Sequence, residues 1–127
     1  AQNMFICASH AGQVAALAAF ECSDELDANR AVYAANRQLL LDELPAAGFG
    51  KIAPPDGAFY AYADVSEVTD DSVAFARRIL DEAGVAVTPG VDFDPDRGQR
   101  TLRFSYAGPT ADIVEGLERL RHFMGSL

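Results

Sequence analysis

Apolar positions recur in two rhythms along this chain, and the switches between them mark its elements. Spacings of three and four put residues on one face of a helix, and alternation puts them on one face of a strand. Leu26, Tyr33, Leu40 and Leu44 follow one another at intervals of seven, seven and four. They predict a long helix, opened by Ser23-Asp24-Glu25 and closed by Pro45 and Gly48. Ile113, Leu117, Leu120 and Met124, spaced four, three and four, predict a last helix behind Pro109-Thr110. Asp70-Asp71-Ser72 caps a shorter one, with Phe75, Ile79 and Leu80 facing inward and Gly84 as its left-handed stop. Ser9 to Phe20 reads as an alanine-rich helix, since alanine is the strongest helix former. A short apolar run, Met4 to Ile6, precedes it.

The period of two appears in three stretches. Ala58 to Ala63 places Tyr60 and Tyr62 on one face and Phe59 on the other. Val85 to Thr88 forms a second strand. Thr101 to Tyr106 divides into an apolar face (Leu102, Phe104, Tyr106) and a polar face (Thr101, Arg103, Ser105). Pro54-Pro55-Asp56-Gly57 is a turn, and Asp92 to Arg100 is a charged loop. Helices alternate with few strands, which predicts an α+β fold, an α/β sandwich. Its sheet is small and mostly antiparallel, of three to four strands, with helices packed on it.

Length and charge narrow the picture. The 127 residues form one domain by size, and half of them are hydrophobic, enough for a core. A net charge of −9 argues against nucleic acid and against a membrane surface as partners, because both select basic patches. No apolar run approaches the roughly 20 residues of a membrane helix. The start, Ala1-Gln2-Asn3, lacks the basic region of a signal peptide. Cys7 and Cys22 lack metal or redox spacing and read as reduced thiols of a cytoplasmic protein.

Candidate chemistry is sparse. Asp92, Asp94 and Asp96 suggest a calcium loop, but counting from Asp92 puts Arg97 where glycine is needed and Arg103 where glutamate is needed. His10 and His122 have no partner at metal-ligand spacing, so no metal site is expected. Lys51 is the only lysine, and it reads as a solvated charge. No catalytic residue stands out. Arg103 does stand out: a guanidinium on a rigid strand offers a planar fork that matches a carboxylate. Its other reading is an ion pair with an aspartate of the 92–96 loop.

Three segments occur in order: Pro55-Asp56-Gly57-Ala58-Phe59-Tyr60, then Gly84-Val85-Ala86-Val87-Thr88-Pro89-Gly90, then Leu102-Arg103-Phe104-Ser105-Tyr106-Ala107. Together they resemble the C-terminal part of class I pyridoxal-phosphate (PLP) aminotransferases, and Gln13 to Phe20 resembles a small-residue helix of the same family. The resemblance implies an aminotransferase C-terminal-domain-like fold, with residues 1–22 as a remnant helix of a large PLP-binding domain and 23–127 as the small domain. It implies that Arg103 binds the α-carboxylate of the amino-acid substrate and that Phe59 or Tyr60 lines the pocket. It implies a homodimeric parent that moves an amino group from an amino acid to a 2-oxo acid, with PLP as cofactor. The Schiff-base lysine and the cofactor-gripping residues have no counterpart here, so the chain alone is expected to be inactive and to bind no cofactor. The rival reading is a free-standing, non-catalytic small-molecule binding or regulatory domain.

Overall fold

The computed structural model describes residues 6–127; Met4 and Phe5 of the predicted apolar run lie outside them. Contacts divide the chain into two compact units, with the boundary between Ala31 and Val32.

In the first unit α1 spans His10–Ala19. None of its residues is buried, and Val14, Leu17 and Phe20 are all exposed. Ser9 is its N-cap residue, but neither Ser9 nor His10 supplies a side-chain cap. The long helix α2, Ser23–Glu43, carries Asp24 and Glu25 in its first turn, where carboxylates favour the positive end of the helix dipole. The unit boundary falls within it.

The second unit holds the whole core. Leu40 of α2 and Leu44 just beyond it are buried there, and Tyr33 packs against them. Leu26 departs from the predicted stripe and is 56% exposed; it belongs to the first unit, whereas Tyr33, Leu40 and Leu44 belong to the second. After α2 the chain turns at Gly48, whose φ of +92° favours glycine because no Cβ obstructs it.

Four strands then form one antiparallel sheet in the order β1-β2-β4-β3. They are β1 (Lys51–Ala53), β2 (Tyr60–Asp64), β3 (Thr88–Pro89) and β4 (Thr101–Ser105). β1 was not expected, because three residues carry too little alternation to read. Two predicted strands move toward the C-terminus. The Ala58–Ala63 strand becomes Tyr60–Asp64, because Ala58 adopts φ +60° and breaks the extended run. The Val85–Thr88 strand shrinks to Thr88–Pro89, the only part paired with β4.

α3 spans Ser72–Arg78, and Asp71 caps it by accepting the Ala74 N–H at 3.0 Å. The helix widens into a π turn over Ile79–Ala83 and stops at Gly84, φ +67°. Ile79 is buried, but Leu80, expected in the core, is 45% exposed, because as the residue next to Ile79 and five beyond Phe75 it falls off the helix face that those two share. α4, Thr110–Met124, buries Leu117, Leu120 and Phe123. Together α2, α3 and α4 cover the sheet face made by Ala61, Ala63, Leu102 and Phe104. The opposite face carries Arg103.

Candidate carboxylate-binding site

Register decides which side chains meet. Arg103 on β4 lies directly across from Tyr62 on β2 and from Thr88 on β3. Residues opposite one another share a face, so these three stand together, with Tyr60 two residues along β2. One Arg103 N–H donates to Thr88 Oγ1 at 3.4 Å. Its guanidinium carbon lies 5.0 Å from the centre of the Tyr60 ring and 4.4 Å from that of Phe93. An arginine over an aromatic face is held by the ring quadrupole. A cleft opens here, lined by Tyr60, Tyr62, Phe93, Asp94, Arg97 and Arg103.

Electrostatics single out the strand. Among the described residues, eight of the ten Lys and Arg side chains lie within 4 Å of a carboxylate. The two without such a neighbour are Arg100, which immediately precedes β4, and Arg103 within it. In a chain with 19 acids, a half-buried arginine without a carboxylate partner is the exception. Of the loop aspartates that sequence offered as its partner, Asp94, which lines the same cleft, is engaged elsewhere. Asp94 accepts N–H bonds from Asp96 and Arg97, both at 3.0 Å, and its second oxygen meets the Arg97 guanidinium at 3.0 Å. These bonds, led by the Arg97 backbone N–H, hold its carboxyl below the usual carboxylate range.

The loop that carries Phe93 is shaped by two glycines. A Cβ on Gly98 would lie 2.6 Å from backbone atoms of Gly90 and Val91, and a Cβ on Gly90 would lie 2.6 Å from the Tyr62 hydroxyl. Without side chains the two ends of the loop close on each other. Ser72 Oγ donates to the Gly98 carbonyl at 2.7 Å and pins that end to α3. The hydroxyls of Tyr62 and Thr101 meet at 2.7 Å beneath it.

The remaining predicted residues are placed as follows. Tyr60 lines the cleft. Phe59 precedes β2, half exposed, with its ring edge-on to that of Tyr60 at 5.7 Å. Lys51 sits exposed on β1, paired with Glu67 at 2.7 Å. His122 is exposed on α4, its Nδ1 2.9 Å from the Glu118 carbonyl oxygen. Among the described residues no cluster of three or more His, Cys, Asp or Glu side chains is arranged for a metal, and no helix is long and apolar enough to cross a membrane. Sequence reasoning missed Thr88 and Phe93. The signal for Phe93 was present: a lone aromatic inside a run of aspartates has no core to enter.

A small antiparallel sheet with helices on one face, and on the other an arginine that among the described residues has no carboxylate neighbour, defines an α+β domain. The chain matches the aminotransferase class I and II family over residues 1–120, and it belongs to that family. It is 49% identical over 126 residues to the valine–pyruvate aminotransferase of Mycobacterium tuberculosis, covering 98% of this chain and 32% of that protein. It is 37% identical to the (5-formylfuran-3-yl)methyl phosphate transaminase of Methanocaldococcus jannaschii, covering 97% and 32%. Among solved structures, a candidate aminotransferase from Silicibacter pomeroyi superposes with a TM-score of 0.92 at 70% identity, over 99% of this chain and 34% of that one. The chain thus spans about a third of the length of these relatives, and it fits a C-terminal domain of a class I aminotransferase.

Proposed function

We propose that this chain is the substrate-carboxylate-binding small domain of a PLP-dependent aminotransferase that moves an amino group from an amino acid to a 2-oxo acid. The observation that carries the reading is Arg103, half-buried on β4, flanked by two rings and without a carboxylate neighbour. Two parallel N–H bonds from its fork would fix a carboxylate in position and in plane. A substrate held at that end cannot rotate, so its Cα is presented in one orientation, a positioning role. Tyr60 forms one wall of this pocket.

The cofactor's own site does not fit these residues. PLP is captured by a lysine amine, and the single lysine here is salt-bridged to Glu67 on the exposed β1. We therefore assign the PLP-binding lysine to the large domain of the complete protein, with residues 1–22 as the segment of this chain that belongs to that domain. The exposure of Val14, Leu17 and Phe20 supports that division, since apolar side chains of this size usually find a partner surface. We assign the parent to a homodimer in the cytoplasm, where free Cys7 and Cys22 stay reduced. Membership of an enzyme family favours this reading over a free-standing binding module.

The test is replacement of Arg103 in the complete protein. A hydrogen bond to a charged group contributes about 1.5–3 kcal/mol, so Arg103→Leu should lower kcat/KM roughly ten- to hundredfold. Arg103→Lys should restore only part, because a point charge cannot replace the fork. An unchanged kcat/KM in the Leu variant contradicts the proposal.

A further inference from the structure

Phe93 is an aromatic that serves no core. It is 53% exposed and takes no part in the buried cluster. It rises from a charged loop between Asp92 and Asp94. Yet its position is closely determined. The N–H groups of Phe93 and Asp94 both donate to the Gly90 carbonyl, at 2.9 and 3.0 Å. On the far side Asp94 caps the next turn, and its carbonyl accepts the Gly98 N–H at 2.9 Å. A residue held between two hydrogen-bonded turns, with little to bury, is placed for what it touches. Phe93 touches Arg103, at 4.4 Å from ring centre to guanidinium carbon, nearer than Tyr60 at 5.0 Å.

An arginine side chain has four rotatable bonds, and an anchor that must order itself on binding loses that entropy from its affinity. Thr88 restrains one nitrogen through a long 3.4 Å bond, which alone leaves the plane of the fork free. A ring against the guanidinium restrains the plane and leaves the N–H edge open. We infer that Phe93 is a positioning residue for the carboxylate anchor: it holds the Arg103 guanidinium in the plane that receives the substrate carboxylate. This rests on the assignment of Arg103 as that anchor, and the experiment separates the two.

In the complete protein loaded with PLP, KM and kcat are measured with L-alanine as the probe for Phe93→Leu, Phe93→Tyr and Arg103→Leu, alongside each variant's unfolding midpoint. The Arg103 Nε–H exchange rate is followed by NMR in the wild-type and Phe93→Leu proteins. Phe93→Leu is expected to raise KM about two- to tenfold, with kcat within about twofold, an unchanged midpoint and faster Nε–H exchange. Phe93→Tyr, which keeps the ring, is expected to restore KM. An unmoved KM and exchange rate in Phe93→Leu, while Arg103→Leu is impaired, overturns the inference and leaves the anchor standing. A lower midpoint with kcat and KM both impaired makes Phe93 a purely structural residue and also overturns it. A normal Arg103→Leu protein overturns the anchor assignment and this inference with it.

Discussion

Asp94 gives its carboxylate to Arg97, at 3.0 Å, and not to Arg103, although all three line one cleft. The pairing follows from local geometry: a carboxylate that accepts N–H bonds from residues two and three positions on is already committed to its own turn. The arginine three residues on then completes it. Arg103 is left, among the described residues, without a carboxylate neighbour, as the proposed anchor role requires.

Acidification should loosen this loop. The folded-state pKa of Asp94 is depressed, chiefly by the Arg97 backbone N–H. Its contribution is therefore present above the ordinary aspartate pKa and is lost as pH falls through the depressed value. NMR titration of the Asp94 carboxyl should show a midpoint below that of an aspartate in an unstructured peptide. Asp94→Asn should abolish that titration and speed amide exchange at Asp96 and Arg97. A midpoint at or above the ordinary value would contradict the capped geometry.

Asn36 should be among the least replaceable residues of the core. Fully buried on α2, its Nδ2 donates to the carbonyls of Tyr106 and Gly108, at 3.1 and 2.9 Å. It ties the segment that links β4 to α4. Asn36→Ala leaves a buried carbonyl without a donor, and such an orphan costs about 1–3 kcal/mol. Urea unfolding should show a lower midpoint with the slope unchanged. A midpoint equal to wild type would mean that the clasp contributes nothing.

Gly98 should tolerate no side chain. A Cβ there would sit 2.6 Å from three backbone atoms of Gly90 and Val91, which cannot rotate aside as a side chain can. Overpacking of this kind costs about 1–3 kcal/mol, so Gly98→Ala should destabilise the domain. It should also displace Phe93, read as loss of the ring-current shift on Arg103. An Ala variant with wild-type stability and spectrum would refute the close approach.

Lys51 should capture no PLP in this chain alone. Its hydrogen bond and charge attraction to Glu67 raise its pKa, so it stays a protonated ammonium, whereas an aldehyde needs the neutral amine. Mixing with PLP, borohydride reduction and peptide mapping should give no stoichiometric adduct at Lys51. A specific one-to-one adduct would overturn the placement of the cofactor lysine elsewhere.

In this chain taken alone, α1 should be the least protected helix. Ten residues with none buried make a helix that is marginal in water. Hydrogen exchange should be fast over residues 10–19 and slow in the buried turns of α4 around Leu117 and Leu120. Strong protection of residues 10–19 in a monomer, confirmed by sedimentation, would contradict the assignment of this helix to a partner domain.

Period and punctuation alone determined the helices and the central strand. Leu117 and Leu120 recur at helical spacing, Gly84 can take a positive φ, and Leu102, Phe104 and Tyr106 alternate; each is a property of neighbours in the chain, so each was legible there. The polar face that carries Arg103 was legible for the same reason. What the sequence left open was everything that depends on two distant segments meeting. The three residues of β1 are a strand only because β2 lies beside them. Leu26 and Leu80 have core-like positions in their patterns, yet both are exposed, because burial depends on what a fold places opposite a side chain. Above all, sequence offered Arg103 both an aspartate and a substrate. Only the folded loop, closed by the contact of Gly90 with Gly98, turned Asp94 to Arg97 and brought the Phe93 ring to the guanidinium.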